Sequence, residues 1–130
     1  MPIIAVLMEQ RGKVLVVDDE PDIRLMLRIT LQLAGYEVLQ AGDGVEALEK
    51  IEREHPDAMI LDLRMPQKDG WQVLEELSEA GLLNKLPVIV LSAYTDAISR
   101  ERAMGHGCVA FIDKPPKGDE LMQALAVAVA

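Results

Sequence analysis

Two hydrophobic rhythms alternate along this chain. Lys13-Val14-Leu15-Val16-Val17 is short, apolar and rich in β-branched residues. A continuous apolar run of that length fits a strand buried on both faces. Ala58 to Leu61, Pro87 to Leu91 and Cys108 to Ile112 have the same character. Glu37-Val38-Leu39-Gln40-Ala41 is more polar and predicts an edge strand. Between these runs, apolar residues recur at helical spacing. Ile23, Leu27, Leu31 and Ala34 form one such face, with Pro21 at its first turn and Gly35 as its stop. Val45, Leu48 and Ile51 form a second, and Trp71, Val73, Leu74 and Leu77 a third that ends near Gly81. Ile98, Arg102 and Ala103 mark a weaker fourth helix before Gly105, and Leu121, Leu125 and Val129 a fifth.

Strand and helix therefore alternate five times. That order predicts an α/β fold with a parallel sheet, right-handed crossovers and helices on both faces. There is no internal repeat or low-complexity tract. The 130 residues suit one domain. Half are hydrophobic but only 3% are aromatic, so aliphatic side chains must fill the core.

The net charge of −9 disfavours direct binding to a nucleic-acid backbone and suits cations and basic partners. A single cysteine, Cys108, excludes an internal disulfide and is expected to be a small buried hydrophobe. No apolar run is long enough for membrane insertion. Pro2 to Met8 is apolar but short, with no basic region before it and Glu9 after it, which makes a poor signal peptide. Residues 1–11 are expected to be a leader outside the domain, with Met8 as a second candidate start. The domain is expected to occupy residues 12–130. Because the fifth helix runs to the last residue, no output domain is expected to follow.

Open parallel sheets bind ligands beyond the carboxyl ends of their strands. The first strand runs into Asp18-Asp19-Glu20, the third into Asp62, the fourth into Ser92 and the fifth into Asp113-Lys114. Each piece alone has a bland alternative. Asp18 and Asp19 are candidate helix caps, Asp62 a turn residue before Pro66, Ser92 a cap and Lys114 a solvated charge. Together they predict carboxylates, a hydroxyl and an ammonium on one rim. Such a cluster is costly unless compensated, and a hard divalent cation would relieve it.

Five segments carry a resemblance to a known family. They are Val14 to Glu20, Leu61-Asp62-Leu63-Arg64-Met65-Pro66, Asp69-Gly70, Leu91-Ser92-Ala93 and Lys114-Pro115. In this order and spacing the sequence resembles the receiver domains of two-component response regulators, over residues 13–130. The resemblance implies a flavodoxin-like, doubly wound five-stranded parallel sheet in the order 2-1-3-4-5. It implies Asp62 as phosphoacceptor, supplied by a sensor histidine kinase or a histidine phosphotransfer protein. It implies Mg²⁺, with Mn²⁺ as a substitute, held by Asp18, Asp19, Asp62 and the backbone carbonyl of Arg64. Ser92 and Lys114 would contact the phosphoryl group, Ser92 and Phe111 would switch, and Lys114-Pro115 would be a cis peptide. Arg64 and Tyr94 would flank the path of the hydrolytic water. The output would pass to a protein partner or a second copy through the fourth helix, fifth strand and fifth helix, in the cytoplasm. The implied protein is a signalling switch that catalyses only its own phosphorylation and dephosphorylation.

Two positions depart from the family pattern: Lys68 precedes Asp69-Gly70, and Pro116 follows Lys114-Pro115. His55 and His106 are read as loop residues, and Trp71 as core. Two rivals remain. A haloacid-dehalogenase-type phosphatase also uses Asp, Mg²⁺ and Lys, but typically separates its two aspartates by one residue after the first strand. A receiver that binds partners without phosphorylation usually lacks one of the four residues Asp18, Asp19, Asp62 and Lys114, and all four are present.

Overall fold

The computed structural model describes residues 11–93, 96–117 and 119–130. Five strands alternate with five helices: β1 (Lys13–Val17), α1 (Pro21–Leu33), β2 (Glu37–Ala41), α2 (Gly44–Glu54), β3 (Ala58–Leu61), α3 (Gly70–Glu79), β4 (Val88–Ser92), α4 (Ala97–Gly105), β5 (Ala110–Asp113) and α5 (Glu120–Ala128). All pairings are parallel, and the order is β2-β1-β3-β4-β5. This is the flavodoxin-like topology.

The alternation of side chains along each strand feeds two cores. Leu15, Val17, Met59, Leu61, Val88 and Val90 point to one face, where α2, α3 and α4 cover them. Val14, Val16, Ala58, Ile60, Ile89 and Leu91 point to the other, beneath α1 and α5. The continuous apolar runs follow from this double coverage. β2 is the polar edge, and the Lys50 ammonium reaches round to its Gln40 carbonyl. Covering an edge acceptor in this way discourages pairing with another chain.

Helix ends follow their local chemistry. Pro21 opens α1, where its missing N–H costs nothing, and Gly35 beyond its end takes φ 99°. Asp69 and Gln72 form a reciprocal capping box at the start of α3. Gly70 has a tertiary reason as well. A Cβ there would meet the Asp62 carbonyl oxygen and stand 2.7 Å from Leu63 Cα, so only glycine lets α3 start against the end of β3. Gly70 N–H also donates to Leu63 O at 3.0 Å.

Three expectations need adjustment. The last strand begins at Ala110, because Cys108 N–H still turns back to Ala103 O at the exit of α4. The fourth strand is displaced by one residue, to Val88–Ser92. Ile98 is 79% exposed, so α4 buries only Ala103 among the residues expected on its inner face. Cys108 is buried as expected, and desolvation pushes its thiol up to about 12.

Candidate functional site

The ladder holds the site. Asp62 N–H donates to Val17 O at 2.9 Å, and Asp18 N–H donates to Ala41 O at 3.1 Å. Parallel pairing thus continues one residue past β1 and β3 and sets Asp18 beside Asp62. On the other side Ser92 pairs with Asp113, and Lys114 N–H donates to Ser92 O at 3.0 Å. The ends of β1, β3, β4 and β5 therefore meet on one rim.

The Lys114 ammonium lies between the two acids. Its Nζ is 2.6 Å from Asp18 Oδ2, 3.1 Å from Asp62 Oδ2 and 3.9 Å from Glu20 Oε1. Asp18 is 2% exposed, Asp62 5% and Ser92 fully buried. Carboxylates so far from water are costly unless partnered. Asp18 has Lys114 and the Glu20 N–H, at 2.9 Å from Oδ1. Asp62 has Lys114 and the Arg64 N–H, at 3.3 Å from Oδ1.

The partners do not fully compensate Asp62. Burial raises its carboxyl above the ordinary range and Asp18 adds to this, while Lys114 and the Arg64 amide pull the other way. For Lys114, burial works to lower the ammonium, but Asp18 and Asp62 together outweigh it and hold it raised. The cation is thus firmly charged beside a carboxylate that is less comfortable ionised.

Asp18, Asp19 and Glu20 each offer a carboxylate oxygen within 4.8 Å of the others. Asp62 is not in that group; its two oxygens face Lys114 and the Arg64 amide. Glu20 was not singled out from the sequence, although the acidic run containing it was. Next to the acids a cleft of about 520 Å³ is lined by Asp19, Leu63, Arg64, Met65, Asp69 and Trp71. All the anionic donors are hard oxygens, as a small divalent cation requires.

The N-cap of α1 is Glu20, so neither Asp18 nor Asp19 occupies that place. Lys114 is not a solvated charge, being half-buried among acids. The Lys114–Pro115 peptide is cis. Phe111 is buried, with the Arg100 guanidinium 5.0 Å from its ring centroid. Asp113 is exposed and lies 3.8 Å from Arg100. Arg64 is exposed at the cleft, and Tyr94 lies outside the described residues. Lys68 pairs with Glu76 at 2.6 Å. His55 and His106 follow the ends of α2 and α4, and His106 lies 6.5 Å from the Trp71 ring. Trp71 packs against the core but also lines the cleft.

A family model, the response regulator receiver domain, matches residues 14–126. The chain belongs to this family. Response regulator MprA of Mycobacterium leprae is 39% identical over 110 residues, which are 85% of this chain and 47% of that protein. A protein of Porphyridium aerugineum named Probable transcriptional regulator ycf27 is 41% identical over 112 residues, 86% of this chain and 45% of that protein. The chain spans a little under half the length of these curated relatives. Among solved structures, the receiver domain of Francisella response regulator 1452 superposes with a TM-score of 0.85 at 30% identity, covering 91% of this chain and 96% of that one. Chemotaxis protein CheY4 of Vibrio cholerae gives 0.82 at 32%, covering 90% and 98%. The receiver domain found here is thus a signalling module of two-component systems rather than a classical enzyme. Among the described residues, no helix is long and apolar enough to cross a membrane.

Proposed function

We propose that this receiver domain, residues 12–130, accepts a phosphoryl group on Asp62 from a sensor histidine kinase or a histidine phosphotransfer protein. The observation that carries the reading is the position of Asp62: buried at the end of β3, with the Lys114 ammonium 3.1 Å from one oxygen. A carboxylate is a competent nucleophile for an acyl phosphate, and the charge gathered in the attack needs a fixed cation beside it. Lys114 is that cation, held in place by Asp18 at 2.6 Å. Asp62 being uneasy as an anion fits a group that forms a covalent bond there.

The hard oxygen donors fit Mg²⁺, or Mn²⁺ in its place. Asp18, Asp19, Asp62 and the Arg64 carbonyl would hold it, and Glu20 is near enough to contribute. When bound, the ion offsets negative charge shared by the carboxylates and the phosphoryl oxygens. Ser92, at the end of β4, would donate a hydrogen bond from its hydroxyl to a phosphoryl oxygen. Movement there would pass through β5 to Phe111 and the face of α4, β5 and α5. Ile98 and Met104 of α4 and Val127 of α5 are exposed, apolar surface suited to a protein partner or a second copy. Arg64 and Tyr94 would shield the acyl phosphate from water. Such signalling would take place in the cytoplasm, without direct nucleic-acid contact by this domain.

Labelling with acetyl phosphate tests the reading chemically. Hydroxylamine should discharge the label, because it attacks an acyl phosphate and spares a phosphate ester. A label that survives hydroxylamine would place the phosphoryl group on a hydroxyl and defeat the Asp62 assignment.

A further inference from the structure

Asp18 is tied at every polar handle. Its N–H goes to Ala41 O, its Oδ1 takes the Glu20 N–H and its Oδ2 takes Lys114. The remaining handle, its carbonyl oxygen, accepts from Arg24 Nη1 at 2.5 Å. That carbonyl belongs to the peptide plane joining Asp18 to Asp19. Because the plane is rigid, holding the oxygen fixes the direction in which Asp19 leaves it. Asp19 is exposed at the cleft.

We infer that Arg24 is a positioning residue for the acidic site: through the Asp18 carbonyl it sets the aim of the Asp19 carboxylate. The inference rests on the metal-dependent reading of that site. Arg24 stands at the fourth helical position of α1, in its first turn. A cation there opposes the helix dipole, so helix stability alone does not call for it. Its guanidinium also lies 3.4 Å from where a Gly42 Cβ would stand, and Glu46 Oε2 lies 3.8 Å from the same point. Glu46 Oε2 accepts the Gly42 N–H at 3.1 Å. Arg24 therefore donates to the loop after β1 while its guanidinium lies over the loop after β2.

Simple electrostatics and positioning predict opposite signs. Removing a positive charge beside three acids should tighten cation binding by Coulomb attraction alone. Losing the hold on the Asp18–Asp19 peptide should weaken it. The test is Mg²⁺ titration calorimetry on the full chain, with urea unfolding of each variant as a check on the fold. Arg24→Ala is expected to bind Mg²⁺ about five-fold or more weakly, as loss of a charge-assisted hydrogen bond allows. Arg24→Gln, which keeps a donor but no charge, is expected to recover part of that loss. Unchanged or tighter binding in a folded Arg24→Ala would overturn the inference. If Arg24→Ala does not fold, Arg24→Gln decides: binding weaker than wild type but tighter than that of Asp19→Ala supports the inference, and binding equal to or tighter than wild type, or as weak as Asp19→Ala, overturns it. Failure of the wild type to bind Mg²⁺ would defeat instead the reading beneath it.

Discussion

Arg100 donates from Nη1 to the Phe111 carbonyl at 3.1 Å while its guanidinium lies over the Phe111 ring. One side chain of α4 thus grips both the backbone and the aromatic ring of β5. Phe111 is the residue expected to change rotamer on activation, so Arg100 would have to adjust with it. Phosphorylation is predicted to shift NMR signals across residues 98–105 and 111–125. Shifts confined to residues 18–20, 62–64 and 114 would contradict transmission by this route. In the resting protein, Arg100→Ala should cost about 1 kcal/mol, the scale of one partly exposed cation–π contact with a hydrogen bond.

Gly70 is predicted to be intolerant of even one methyl group. The atoms that a Cβ would meet are backbone atoms of Asp62 and Leu63, which cannot swing aside as a flexible side chain can. Gly70→Ala should lose about 1–3 kcal/mol in urea unfolding. It should also slow phosphorylation, because Asp62 must shift. A variant of unchanged stability and labelling rate would show that the loop yields freely.

Much of this architecture was legible in the sequence because it depends on short-range patterns. Continuous apolar runs identified strands covered on both faces, and strand ends identified the acids that meet on the rim. The start of β5 was less legible. The apolar run begins at Cys108, but a backbone bond to Ala103 keeps that residue in the exit of α4. Ile98 was misplaced because α4 lies near the sheet edge and buries little. The roles of Arg24 and Arg100 leave no periodic trace. Each acts on a backbone carbonyl, six and eleven residues away in sequence, and only the folded chain brings them together.

The raised carboxyl of Asp62 has a consequence for stability. Between its ordinary value, 3.8, and its raised native value, the folded chain holds a proton that the unfolded chain has released. Stability contributed by this group therefore falls as pH rises through that window, and the deficit persists at neutral pH. Asp62→Asn removes the deficit. Its urea midpoint is predicted to exceed that of the wild type at pH 7 without Mg²⁺, with the gap narrowing as pH approaches about 4. A variant less stable than wild type at pH 7 would mean that the bond to Lys114 outweighs the cost of burial.

Arg64 and Tyr94 are predicted to prolong the phosphorylated state. The Arg64 guanidinium offers donors to phosphoryl oxygens and no acceptor for a proton of the attacking water. The phenol at position 94 is bulky enough to fill space that the water needs. The double variant Arg64→Asn/Tyr94→Ala should lose its phosphoryl group several-fold faster than wild type, as followed by the decay of labelled protein. Equal decay would show that both side chains stand clear of the path.

The central claim, that Asp62 is the phosphoacceptor, is tested most directly by intact-mass measurement after incubation with acetyl phosphate. Wild type with Mg²⁺ should gain one phosphoryl group, wild type with the metal chelated should gain little, and Asp62→Asn should gain none under either condition. Equal incorporation by wild type and Asp62→Asn would contradict the account.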